Sequence, residues 1–178
     1  MTEPAPLSST QGTPALIAPA LIALGANLGD PPAALRQAKA VLADLGTVTA
    51  TSWLYCTRAM GGPAGQPDYL NAALCLETPL SPQALMLALL GVEALSGRVR
   101  LERWGPRLLD LDLIGYGGRV LHTPRLTLPH PRAFERSFVL APLADVAPQW
   151  QNPHGGEQVQ DALNRLGSDG LERLDMRL

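Results

Sequence analysis

The chain has 178 residues, a 46% apolar fraction and a formal net charge of −2. That length suits one domain with a sizeable core. The charge excludes a global field that would recruit nucleic acid or an acidic membrane, so any anion site must come from local clustering.

Residues 1–18 are rich in Pro, Ser and Thr, show no useful periodicity and read as a flexible extension before a single domain at 19–178. No basic stretch leads into an apolar core there, so no signal peptide is expected. No apolar run reaches the ~18 residues of a membrane span. Cys56 and Cys75 lack CxxC spacing and a nearby His, so both read as buried free thiols in a reducing cytoplasm.

Pro19–Leu24 is a short apolar strand, and Gly25-Ala-Asn-Leu-Gly29 turns the chain. Asp30 and Pro31 supply N-cap and N1 signals for a helix to about Leu45, stopped by Gly46. Thr47–Thr57 is rich in β-branched and aromatic residues and reads as a strand. A Gly/Pro loop over Arg58–Pro67 joins it to an antiparallel strand over Asp68–Glu77; a loop of that length is often functional. Ser81-Pro82 starts a second helix that ends before Gly97. Four arginines follow in Arg98–Arg107, then an apolar strand to Tyr116. Gly117-Gly118 signals a hairpin that returns Arg119–Leu121 beside that strand. A short turn over Arg132–Arg136, buried Phe138–Leu143, a helix over Glu157–Leu166 and a strand over Leu171–Met176 complete the chain. The order β-α-β-β-α-β is the ferredoxin-like split βαβ pattern. The fold class is therefore α+β: an antiparallel sheet extended by the C-terminal end, with helices on both faces.

Arg103-Trp-Gly-Pro-Arg-Leu-Leu-Asp-Leu-Asp-Leu-Ile114 concentrates the chemistry. On a strand, Asp110 and Asp112 share one face, with roots roughly 6–7 Å apart, while Leu109, Leu111 and Leu113 pack the other. Two like charges in apolar surroundings cost free energy that a divalent cation cancels, and hard oxygen ligands suit Mg²⁺. The competing reading is two solvated aspartates on an edge strand; the apolar neighbours make the strand look central and argue against it. Arg98, Arg100, Arg103 and Arg107 bring guanidinium groups to the same region, where they suit a polyanion, although a solvated arginine run has the same pattern. Trp104 offers a flat face for a purine or is a core residue. Arg125, Thr127, His130 and Arg136 look like a second set of phosphate donors. Tyr69 and Asn71 alternate onto one face, where an amide can read a heterocycle edge and Tyr69 or Phe138 can stack on it; core packing is their other reading. No Walker A motif is present.

The Arg103–Ile114 stretch resembles the signature of the 6-hydroxymethyl-7,8-dihydropterin pyrophosphokinase family of folate biosynthesis. Gly25–Gly29, Gln66–Asn71, Gly97–Arg100 and Arg125–Pro131 match further blocks in the same order. The resemblance covers residues 20–178. It implies transfer of the terminal pyrophosphoryl group of ATP to the pterin hydroxymethyl group, giving AMP, with two Mg²⁺ ions held by Asp110 and Asp112. It implies catalytic roles for Arg98, Arg107, Asp110 and Asp112. It implies ATP contacts from Glu93, Arg100, Arg103, Trp104, Arg107, Leu113, Arg125, Thr127, His130 and Arg136. Thr57, Met60, Tyr69, Asn71 and Phe138 match pterin-pocket positions. Arg58-Ala59 stand where the family often has prolines, and the Arg58–Pro67 loop is one residue longer while Arg100–Arg103 is one shorter. A cytoplasmic monomer acting on small molecules, without nucleic acid or membrane partners, is expected. Two rivals remain open at this stage: an RNA-binding ferredoxin-like module, which the missing aromatic strand motif disfavours, and a metal-dependent nuclease or phosphohydrolase using the same aspartates.

Overall fold

Capping chemistry sets the first helices. In the computed structural model, which describes residues 17–59, 63–97 and 105–178, the Asp30 side chain accepts the Ala33 N–H at 3.0 Å and Ser81 accepts the Ala84 N–H at 3.2 Å. Each cap satisfies a backbone donor that the first helical turn leaves unpaired. Helix α1 runs Pro31–Ala43 and α2 runs Pro82–Leu95. Gly46 does more than stop α1. A Cβ there would collide with the Glu77 carbonyl, so only glycine lets the chain pass this close to the neighbouring strand.

The strands are β1 (Ala18–Ala26), β2 (Thr47–Thr51), β3 (Trp53–Thr57), β4 (Tyr69–Thr78), β5 (Asp110–Tyr116), β6 (Leu121–His122), β7 (Thr127–Leu128) and β8 (Leu171–Arg177). The main sheet runs β5-β1-β4-β3-β8, with β2 also paired to β4, and all its pairings are antiparallel. With β2 and β3 taken as one broken strand, β1 to β5 follow the strand order of the split βαβ unit, and β8 extends the sheet as expected. The expected single strand over Thr47–Thr57 is broken at Ser52. Its buried hydroxyl donates to the Trp53 carbonyl and accepts the Ala73 N–H, filling the gap in the ladder.

Two cores flank the sheet. Leu35, Leu42, Leu85 and Leu89 from α1 and α2 pack with Ile22, Leu74, Leu111 and Leu113 on one face. On the other face, α3 (Ser137–Val146), α4 (Val159–Leu166) and a short 3-10 turn (Ala133–Glu135) pack against Leu21, Ala73 and Ile114. Helices therefore lie on both faces.

Three expectations need correction. β5 is an edge strand of the main sheet, not a central one. It reads as central because both its faces are covered, and the Glu93 carboxylate accepts the Leu111 N–H at 2.7 Å. Arg119–Leu121 does not return beside β5. β6 pairs with β7 in a separate ribbon, because backbone groups on the free edge of β5 are taken by other partners: the Leu111 N–H by Glu93 and the Ile114 carbonyl by the His130 N–H. Cys56 and Cys75 are free but only half-buried. Residues 1–16 of the predicted extension lie outside the described residues, and so do Met60, Arg98, Arg100, Arg103 and Trp104. No helix among the described residues is long and apolar enough to cross a membrane.

Candidate active site

The site begins with strand register. Gly25 of β1 lies opposite Asp110 of β5 on one side and Asn71 of β4 on the other. Directly opposed residues share a face and neighbouring strands lie about 4.8 Å apart, so Asp110 and Asn71 stand roughly 10 Å apart on the same surface. In the next row, Asp112 opposes Ala23, which opposes Ala73. The β1–β5 register slips by one residue around Ile114, so the strand bulges beyond the aspartates. Gly25 itself puts no side chain between Asp110 and Asn71; a Cβ there would meet Asn71 Oδ1 at 3.6 Å. This glycine keeps the surface open between the acidic and the amide side chains.

Asp110 accepts an ion pair from Arg107 at 2.6 Å, with both side chains about one quarter exposed. Burial works against the Arg107 charge, but the Asp110 carboxylate outweighs it and raises the guanidinium pKa. Asp112 is the strained member of the pair. Burial raises its pKa above the usual carboxylate value and the Asp110 charge adds to this; His130, Arg136 and Arg107 oppose the rise only in part. Burial likewise pushes the His130 imidazole toward its neutral form, against the pull of Asp112. His130 Nδ1 accepts the Arg132 N–H at 3.3 Å, which leaves Nε2 to carry the proton as a neutral donor. The His130 backbone N–H binds the Ile114 carbonyl at 2.8 Å and so fixes the ring's segment to the end of β5. Burial and the Arg132 charge lower the Arg136 pKa, with Asp112 and Asp110 opposing; a guanidinium stays charged regardless.

Arg107, Asp110, Asp112, His130 and Arg136 thus form one electrostatic cluster. Two carboxylates on one face, one of them buried and short of compensation, suit a hard divalent cation. Among the described residues no group of three or more His, Cys, Asp or Glu is placed to hold a metal. A pair of carboxylates leaves most of an octahedral shell to water or phosphate, which matches the habits of Mg²⁺.

The amide side of the surface is also built. Asn71 is buried, and its Nδ2 donates to Thr57 Oγ1 at 2.9 Å. The Tyr69 hydroxyl donates to the Gly105 carbonyl at 3.1 Å. Phe138 lies half-buried in the first turn of α3, with the Arg136 guanidinium 5.7 Å from its ring centroid. Arg125 is exposed in the β6–β7 turn, and Thr127 sits on β7, its hydroxyl 3.4 Å from His122 Nδ1. Leu113 and Glu93 are placed differently. The Leu113 side chain is buried in the core beneath the sheet, away from the aspartates, and only its backbone faces the strand edge. The Glu93 carboxylate is 2% exposed and turned onto β5.

Sequence reasoning passed over Asn27. It is 2% exposed; its Nδ2 donates to the Pro67 carbonyl at 3.1 Å and its Oδ1 accepts the Arg107 N–H at 2.7 Å. The available signal was the Gly25–Gly29 block, read as a turn and as a block of the family resemblance, with no role given to Asn27. A shallow recess of about 310 Å³ under the β3–β4 loop is lined by Arg58, Ala59, Gln66 and Asp68. It contains none of the predicted site residues.

Comparison with known proteins places this geometry in a family. The family model for 7,8-dihydro-6-hydroxymethylpterin-pyrophosphokinase matches residues 21–148. A 2-amino-4-hydroxy-6-hydroxymethyldihydropteridine pyrophosphokinase of Synechocystis is 46% identical over 153 residues, 83% of this chain and 75% of the relative. One from Methylorubrum extorquens is 42% identical over 158 residues, 88% of this chain and 98% of the relative. The fold is shared with the crystal structure of wild-type Plasmodium falciparum HPPK-DHPS, at a TM-score of 0.70 and 12% identity, covering 89% of this chain and 48% of that one. The chain thus spans about half the length of that structure. By the family model and by relatives matched over most of its length, the chain belongs to the 7,8-dihydro-6-hydroxymethylpterin-pyrophosphokinase family.

Proposed function

We propose that the chain transfers the pyrophosphoryl group of ATP to the hydroxymethyl oxygen of 6-hydroxymethyl-7,8-dihydropterin, releasing AMP. The observation that carries this reading is the shared surface: Asp110 and Asp112 at one end, Asn71 at the other, and Gly25 between them. One end has the chemistry of a metal–phosphate site and the other that of a heterocycle site. The spacing of two strands allows both substrates to lie on one sheet face.

In the reaction the acceptor oxygen attacks the β-phosphorus, the bridging bond to the α-phosphate breaks with its electrons leaving on AMP, and the hydroxyl proton is released. Mg²⁺ held by Asp110 and Asp112 would supply charge neutralisation on the phosphate oxygens. Arg107, Arg136 and neutral His130 aim donors at the same region, where charge accumulates on the departing phosphate. Thr57 and the Tyr55 carbonyl both accept from Asn71 Nδ2 and fix the amide's orientation, so its carbonyl oxygen is preset toward a flat partner. Arg125, Thr127, Glu93, Leu113, Arg98, Arg100, Arg103 and Trp104 belong to the proposal as nucleotide or catalytic contacts, and Met60, Tyr69 and Phe138 as pterin contacts; what supports these roles is the matching sequence blocks and, for Glu93, Met60 and Phe138, their place within the span that the family model matches. Two Mg²⁺ ions, a monomeric state and a cytoplasmic setting belong to it as well.

Asn71→Ala tests the division of the surface. Pterin affinity falls by at least about tenfold, the scale for losing a buried hydrogen-bonding amide, while ATP affinity measured by calorimetry stays within about threefold. Equal losses for both substrates would contradict the assignment.

A further inference from the structure

Two segments bring the two halves of the site into place. One is the chain entering β4, where Pro67 precedes Tyr69 and Asn71. The other is the chain entering β5, where Arg107 precedes Asp110 and Asp112. Among the described residues, neither segment is paired with the other by sheet hydrogen bonds. A single residue just past the end of β1 bonds to both. Asn27 donates from Nδ2 to the Pro67 carbonyl at 3.1 Å and accepts the Arg107 N–H on Oδ1 at 2.7 Å. Its own backbone N–H, and that of Leu28, bind the Arg107 carbonyl at 3.0 and 3.1 Å. The side chain is buried.

The chemistry of the link is specific. One end must donate and the other accept, and the span is short. An amide does both; a carboxylate has no donor, a hydroxyl cannot reach both groups, and an alkyl group leaves two backbone polar groups without partners. The Arg107 segment it holds carries the guanidinium paired to Asp110. The Pro67 segment leads directly into the strand bearing Tyr69, whose hydroxyl reaches back to Gly105 on the other segment.

We propose that Asn27 is a positioning residue that locks the pterin-side segment to the phosphate-side segment, so that the acceptor oxygen and the β-phosphorus are held in register. This rests on the assignment of the two halves made above. Asn27 touches neither substrate in this account. Its effect therefore falls on the step that needs both substrates aligned rather than on binding of either one alone, and misplacement of about 1 Å costs roughly 10²-fold in rate.

The test compares Asn27→Ala and Asn27→Asp with the wild type in the full-length protein, with thermal melts beside the kinetics. For Asn27→Ala the expected result is a kcat lower by about 10²-fold at saturation of both substrates, with ATP and pterin affinities, each measured alone, within about threefold of wild type. Asn27→Asp keeps the bond from the Arg107 N–H and sets a carboxylate oxygen against the Pro67 carbonyl, so its kcat falls between the two. A folded Asn27→Ala with kcat within about threefold of wild type, or a loss that disappears when activity is expressed per folded molecule, overturns the inference. If the alanine variant does not fold, the aspartate variant decides: a kcat indistinguishable from wild type overturns the inference equally. A wild type that fails to transfer pyrophosphate to the pterin removes the underlying assignment instead, and that failure is visible before any variant is made.

Discussion

At the scale of single residues, Asp112 carries the largest conflict between stability and function. A buried carboxylate next to Asp110 holds its proton more tightly in the folded chain than in the unfolded one. Its ionisation therefore costs stability as pH rises from the ordinary carboxylate value through its raised folded one. Asp112→Asn keeps the shape and removes the charge. In metal-free buffer its melting temperature rises above wild type, while the stabilisation that Mg²⁺ gives the wild type is lost. Turnover falls by at least about 10²-fold, since metal-held charge is worth several kcal/mol in such reactions. A variant that still melts higher with Mg²⁺ and still turns over would move the metal elsewhere. Gly25→Ala probes the surface between the two halves. The added methyl meets Asn71 Oδ1 at an ordinary contact distance, so stability stays within about 1 kcal/mol of wild type. The methyl nonetheless stands on the shared face, and the KM for pterin rises while thermal melts stay level. An unchanged KM would show that the substrate does not cross β1. The aspartate pair was legible in the sequence because alternation on a strand is a strict geometric rule. Asn27 was not, because its value lies in two partners 40 and 80 positions away.

At the scale of elements, the join between β3 and α3 bears on how the pterin side is supported. The Tyr55 hydroxyl donates to Asp145 at 3.0 Å, and the Trp53 N–H donates to the same carboxylate oxygen. Burial first, and then the Asp145 charge, raise the Tyr55 pKa from 10.0 to about 12. The folded chain thus favours the neutral phenol. That contribution is whole below pH 10 and is lost as pH climbs toward 12. Tyr55→Phe removes the bond at a cost of about 1 kcal/mol at neutral pH, and urea melts at pH 8 and pH 11 should show a smaller drop for the variant than for wild type. An equal drop would mean the phenol does not carry the alkaline sensitivity. Both helix starts were readable because Asp30-Pro31 and Ser81-Pro82 are local signals satisfied within one turn. The break at Ser52 was not, because β-branched residues continue through it and the hydroxyl that bridges the gap is met by Ala73 from another strand.

At the scale of the whole molecule, the sheet order follows from short-range signals that agree with one another. Each connection in the split βαβ unit is a capped helix or a Gly/Pro loop, and β8 adds to the free edge of β3. What sequence alone misplaced was the position of β5. Apolar residues on both faces mark a strand covered twice, by helices above and below, and say nothing of whether a further strand lies beside it. The edge is closed instead by a buried glutamate and by the small β6–β7 ribbon. Placing β5 at the edge also puts the aspartates at the rim of the sheet, where arginines from loops reach them.

The central claim is that a single sheet face aligns an acceptor hydroxyl with the β-phosphorus of ATP. Phosphorus NMR of a reaction containing the protein, Mg²⁺, ATP and 6-hydroxymethyl-7,8-dihydropterin tests it most directly. The account predicts an AMP singlet together with two mutually coupled resonances from a pterin diphosphate, appearing at equal rates and only when the pterin is present. ADP with a pterin monophosphate, or AMP with inorganic pyrophosphate and unaltered pterin, would contradict it.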